Sequence, residues 1–225
     1  MSVTGRDRRV SASTRRRAPA AVVLWVAVAT LGVGGCSSAP VAHLEGDGPM
    51  SLHVPGSGSV SIRPPTDLSP DGTWSGTFGS FLPCLTTEDG PARLTGLRFA
   101  DSAGPEPLEA VAYVRTFDSA TGTPIASMRG AARDLDLGSS RLGEGVEGLE
   151  VGATCQDLLG FDGTTTDEIL ISLTADRRGA RVGDMTVTYV MPDGVEHAVQ
   201  VDWDLALCGS EVPDELCAPS THAEE

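Results

Sequence analysis

The sequence predicts an all-β domain, a two-sheet antiparallel sandwich of immunoglobulin-like type. Three observations predict it. From Trp74 onward, apolar residues recur at every second position, the period of a strand with one face on a core. Glycine, proline and acidic turn signals break that alternation at intervals of about 8–12 residues, the spacing of sandwich strands. No stretch beyond residue 36 carries a helical period over three turns. A small barrel is the alternative closure.

The elements follow in order. Ala92-Leu94 leads into Leu97-Phe99. Leu108-Ala110-Ala112-Val114 alternates with Val111-Tyr113, so both faces are apolar. Ile125 and Met128 mark a short strand, and the polar, glycine-rich stretch 131–145 reads as a surface loop or a short turn of helix. Ile169-Ile171-Leu173 alternates with Glu168-Leu170-Ser172. Met185-Val187-Tyr189-Met191 is followed by the longest alternation, Val195-His197-Val199-Val201-Trp203-Leu205-Leu207. Between these two, Pro192-Asp193-Gly194 fits a type I turn closed by a left-handed glycine. Trp74, Phe78 and Trp203 are expected as core aromatics.

The chain divides into three parts. Residues 1–35 read as an export signal, residues 36–72 as a spacer, and residues 73–225 as the sandwich with a short C-terminal tail. The spacer assignment rests on GDGP at 46–49, PGSGS at 55–59 and PPTDLSPDG at 64–72, a composition that favours flexible connection over helix. Met50-Leu52-Val54 and Val60-Ile62 interrupt it, as a loose hairpin or an edge strand would.

The signal has a fixed order. Arginines 6, 8, 9, 15, 16 and 17 precede an apolar run of 16 residues, Ala20 to Gly35, and then Cys36. A membrane-spanning helix needs roughly 20 apolar residues, so the run matches the h-region of a secretory signal instead. Val33-Gly34-Gly35-Cys36 resembles the lipobox of bacterial lipoproteins, with Val33 where leucine is usual. The resemblance implies a diacylglyceryl group on the Cys36 thiol, cleavage before Cys36, and a lipid anchor on the outer face of the cell membrane. With the composition and the Phe81-Leu82-Pro83-Cys84 motif before a β-rich region, the chain resembles small, uncharacterised lipoproteins of actinobacteria.

Charge sharpens this division. The first 35 residues hold six arginines and one acid, leaving 10 arginines against 30 carboxylates, a net charge of −20. Such a surface repels DNA, RNA and anionic headgroups, so no nucleic-acid partner is expected. Four cysteines follow Cys36: Cys84, Cys155, Cys208 and Cys217. An even count in an exported chain reads as two disulfides. Chain proximity favours Cys208–Cys217 with Cys84–Cys155. The competing pairing is Cys84–Cys208, since the first and last strands of a sandwich often run side by side.

The chain has no lysine and no asparagine. That removes the Walker P-loop, the Ser-x-x-Lys nucleophile and the Schiff base. Gly-x-Ser-x-Gly and His-Glu-x-x-His are absent as well. His43, Met50 and His53 lie close together in HLEGDGPMSLH, and imidazole and thioether suit Cu(I). The competing reading makes Met50 a strand anchor and the histidines solvated. His197 falls on an apolar row, where a core or edge histidine is expected. Asp157, Asp162, Asp167 and Glu168 are expected as a solvated acidic loop, their spacing not being that of an EF-hand. The function expected is therefore a non-catalytic, membrane-tethered binding module with no cofactor and an unknown protein or small-molecule ligand. The alternative is a copper-type metal-handling lipoprotein.

Overall fold

The computed structural model describes residues 39–54, 57–100, 103–160 and 165–217. Cys36 lies outside them, as does Asp162. The strands are β1 (Val41–Leu44), β2 (Met50–Ser51), β3 (Gly58–Ile62), β4 (Trp74–Phe81), β5 (Cys84–Leu85), β6 (Ala92–Phe99), β7 (Glu109–Asp118), β8 (Ser127–Arg129), β9 (Arg141–Glu144), β10 (Glu150–Val151), β11 (Thr165–Ala175), β12 (Ala180–Val182), β13 (Met185–Val190), β14 (Glu196–Val201) and β15 (Trp203–Leu207). Two short helices, α1 (Cys155–Gly160) and α2 (Asp214–Cys217), complete the described elements. The expected all-β sandwich is what forms.

One five-stranded sheet runs β1-β14-β13-β6-β10 and the other β8-β4-β11-β7-β9. A three-stranded sheet, β12-β15-β3, continues the first: β13 follows β12 after Gly183-Asp184, and β15 follows β14 after Asp202. The two halves thus form one long bent hairpin. Its turn is the one the sequence predicts. Gly194 sits at φ +82, its N–H donates to the Met191 carbonyl at 2.9 Å, and the Met191 N–H donates to the Val195 carbonyl at 3.1 Å.

The spacer expectation needs correction. Residues 41–62 build strands of the domain. β1 lies parallel to β14, with Val41 opposite His197, and β3 lies parallel to β15, with Ile62 opposite Leu207. Between them β2 pairs with β5, and Met50 and Leu52 are wholly buried. The apolar residues that interrupt the Gly/Pro-rich stretch are what bind it to the sandwich, because each buries a side chain that a solvated spacer would expose. These two parallel pairs also make the sheets mixed at one edge. In 131–145 the expected short helical turn forms at Ala132–Asp134, and the correction is the edge strand β9 that follows it.

The main core lies between the sheets and includes Phe78, Leu94, Ile169, Ile171, Leu173, Val187 and Tyr189. Trp74 and Phe78 are buried, and Trp203 is partly buried against that core. β11 is buried on both faces. Its second face carries Glu168, which is fully buried and does not join a solvated acidic loop. There the β4 ladder gains a bulge: Ile169 faces Phe81 and Ile171 faces Phe78, so β4 holds one extra residue. Ser80 takes φ +65 at this point. The Glu168 carboxylate accepts the Ser80 N–H at 2.8 Å and the Ile125 N–H at 2.7 Å. Gly79 is required beside it, since a Cβ there would stand 2.3 Å from the Ile125 carbonyl oxygen.

Candidate functional site

Pairing of β1, β14 and β13 sets three polar rings on one face. His197 lies opposite both Val41 and Tyr189, and His43 lies opposite Val199. Tyr189 and His197 stack, with centroids 5.3 Å apart and planes 16° apart. His43 meets Tyr189 edge-on at 5.8 Å and stands 6.3 Å from His197. Tyr189 is fully buried, and the two histidines are half-buried.

The hydrogen bonds define the chemistry. His43 Nδ1 lies 3.0 Å from the Leu44 carbonyl oxygen, which can only accept, so Nδ1 carries the proton. In the neutral ring Nε2 is then the acceptor, and the Tyr189 hydroxyl donates to it at 2.6 Å. Burial pushes the Tyr189 phenol up to about 12, against a hydrogen bond from the Met50 backbone that pulls it down. The phenol therefore keeps its proton through neutral pH. His197 Nδ1 is buried with no hydrogen-bond partner, a state that costs about 1–3 kcal/mol of desolvation.

The loop from β1 to β2 supports His43. Glu45 accepts the Leu52 N–H at 3.0 Å and the Ser51 hydroxyl. The Asp47 N–H donates to the Leu44 carbonyl at 3.1 Å. Gly48 packs under the imidazole, where a Cβ would stand 2.3 Å from ring atoms. The segment that composition presents as flexible is thus pinned at both ends.

The predicted ligand group is distributed differently. Met50 sits in the core with no exposed surface, and His43 engages Tyr189. His53 takes φ +52 and its N–H donates to the Ser51 hydroxyl. Among the described residues, no group of three or more His, Cys, Asp and Glu is placed to hold a metal ion. The acidic group is likewise dispersed. Asp157 lies on α1, where hydrogen bonds from Thr154 hold its carboxyl below the usual range. Asp167 accepts the Thr116 hydroxyl at 2.6 Å. Tyr189 and His197 gave only core signals in the sequence, and nothing local points to their meeting with His43.

The cysteines pair as Cys84–Cys155 and Cys208–Cys217, as proximity favours. The second bridge flanks an open groove of about 670 Å³ lined by Arg63, Pro64, Pro65, Thr66 and Asp214. Arg63 reaches across it, donating to the Cys217 carbonyl at 2.9 Å.

No protein-family model matches the chain, and no curated protein does. Among solved structures, the N-terminal domain of PorA is similar at 11% identity and a TM-score of 0.25, over 69% of this chain and 91% of that one. Likeness at that level carries no argument about fold or function.

Proposed function

We propose that the chain is an exported lipoprotein, tethered through Cys36 to the outer face of the cell membrane, whose sandwich is a non-catalytic binding module. The observation that carries this reading is the order of features in residues 1–36: arginines, a short apolar run, then Val-Gly-Gly-Cys. The two disulfides support it, because such bridges persist in oxidising compartments outside the cytosol. Two acyl chains anchor stably where one binds only marginally. The charge of −20 favours a cationic or neutral partner over nucleic acid. The metal-handling alternative has less support, since Met50 is in the core and His43 Nε2 is already engaged.

Radiolabelled palmitate tests the anchor. Label is expected in the wild-type protein, in the membrane fraction, and not in Cys36→Ala. Equal labelling of the two proteins refutes lipidation at Cys36.

A further inference from the structure

We propose that the sandwich lies with its β1 edge and β13–β14 turn against the lipid bilayer. The inference rests on the anchor at Cys36 and adds the face that meets the membrane. Cys36 precedes Val41 by five residues, which span at most about 18 Å when fully extended. β1 is therefore held near the surface that holds the acyl chains. That edge is also apolar. Among the described residues the exposed large hydrophobic side chains are Val41, Leu44, Leu108, Met128 and Val195, and Val41 and Leu44 are 53% and 60% exposed.

Three of those five lie along this edge, Val41 and Val195 at its turn end and Leu44 three residues farther on, opposite Gln200 and on the other face of the strand. Val41 lies opposite His197, so the chain entering β1 passes beside Val195 at the end of the turn. Leu44 ends the same strand, which closes its sheet and leaves its outer side unpaired. Two carboxylates in this region are held by their own loops: Glu45 by Leu52 and Ser51, and Asp193 by the Val195 N–H at 2.9 Å. The opposite end of the long hairpin, at Leu207, lies about 40 Å farther along the strand from Val195 at ~3.3 Å per residue. The groove at Arg63 and Asp214 belongs to that far end and faces outward. A tether this short makes the contact intramolecular, so an apolar edge too small to bind lipid from solution still docks.

The test uses mature, lipidated protein in phosphatidylcholine vesicles containing nitroxide-labelled lipid. An environment-sensitive fluorophore is placed at Val41→Cys, Leu44→Cys or Val195→Cys, and for comparison at Arg177→Cys, in the turn before β12. Quenching at the first three sites is expected to exceed that at the fourth at least threefold. Val41→Ser with Leu44→Ser is expected to halve quenching at the Val195 site. Equal quenching at all four sites in vesicle-bound protein overturns the docking and leaves the anchor standing. A blue shift without lipid quenching places a second copy over β1 and also overturns it. Protein that fails to sediment with vesicles refutes the anchor, and the docking with it.

Discussion

Arg115 places Nη1 2.9 Å from Oε2 of Glu168, with side chains 7% and 0% exposed. The guanidinium also donates to the Thr123 carbonyl at 2.9 Å and the Ser140 hydroxyl at 3.0 Å, and lies 4.5 Å over the Phe117 ring. The pair therefore joins β7, β11, the β4 bulge and the loop before β8. A buried pair is weak evidence for net stability, but removing one partner leaves an uncompensated charge. Arg115→Met is expected to cost about 3–5 kcal/mol, read by chemical denaturation. Arg115→Met with Glu168→Gln is expected to recover part of that loss, because the glutamine removes the charge and its carbonyl oxygen still accepts the Ser80 and Ile125 N–H groups. A single variant within 1 kcal/mol of wild type, on the order of a surface pair, contradicts this role.

The same carboxyl sets a pH dependence. Burial pushes Glu168 above its ordinary value of 4.5, while the Ser80 and Ile125 N–H groups and Arg115 pull it down. With the folded value raised, the unfolded chain ionises first as pH rises. Its contribution is complete below pH 4.5 and is lost as pH climbs through the folded value. Stability relative to Glu168→Gln is expected to fall across that window. A ratio flat with pH, or rising, counts against it.

The two disulfides differ in the loops they close, 71 residues apart for Cys84–Cys155 and 9 for Cys208–Cys217. Chain entropy assigns about 4 kcal/mol to the first and about 2.5 to the second. Replacing Cys84 and Cys155 by serine should lower the melting temperature more than replacing Cys208 and Cys217. The reverse order in calorimetry would be incompatible with the loop-closure account.

Tyr189→Phe removes the donor to His43 Nε2 and the acceptor of the Met50 hydrogen bond. A loss of about 1–3 kcal/mol is expected for a buried group left unpaired. The His43 ring resonances should shift in the variant spectrum while those of His53 stay in place. Unchanged His43 resonances would show that the contact does not form in solution.

Local pattern carried much of the fold. The β13–β14 hairpin was legible because its alternation and its Pro-Asp-Gly turn are both short-range signals. Chain proximity favoured the observed disulfide pairing but left Cys84–Cys208 open. β1 was not legible as a domain strand, and β3 only as a loose hairpin or edge strand within the spacer, since glycine and proline mask four- and five-residue strands whose partners lie more than 140 residues away. The same distance hid the site: His43 and Tyr189 are 146 positions apart. Glu168 stood in its strand row with Leu170 and Ser172, but no local feature could show that a bulge on β4 needed its carboxylate.

β1 flanks β14 and β3 flanks β15, so the β1 edge cannot close before residues near 200 are present, nor the β3 edge before residues near 207. Contacts of such sequence separation form slowly and late. A chain made from its N-terminus holds β1 and β3 without partners until most of it has been synthesised. Completion of the sandwich is thereby timed to the arrival of its final segment.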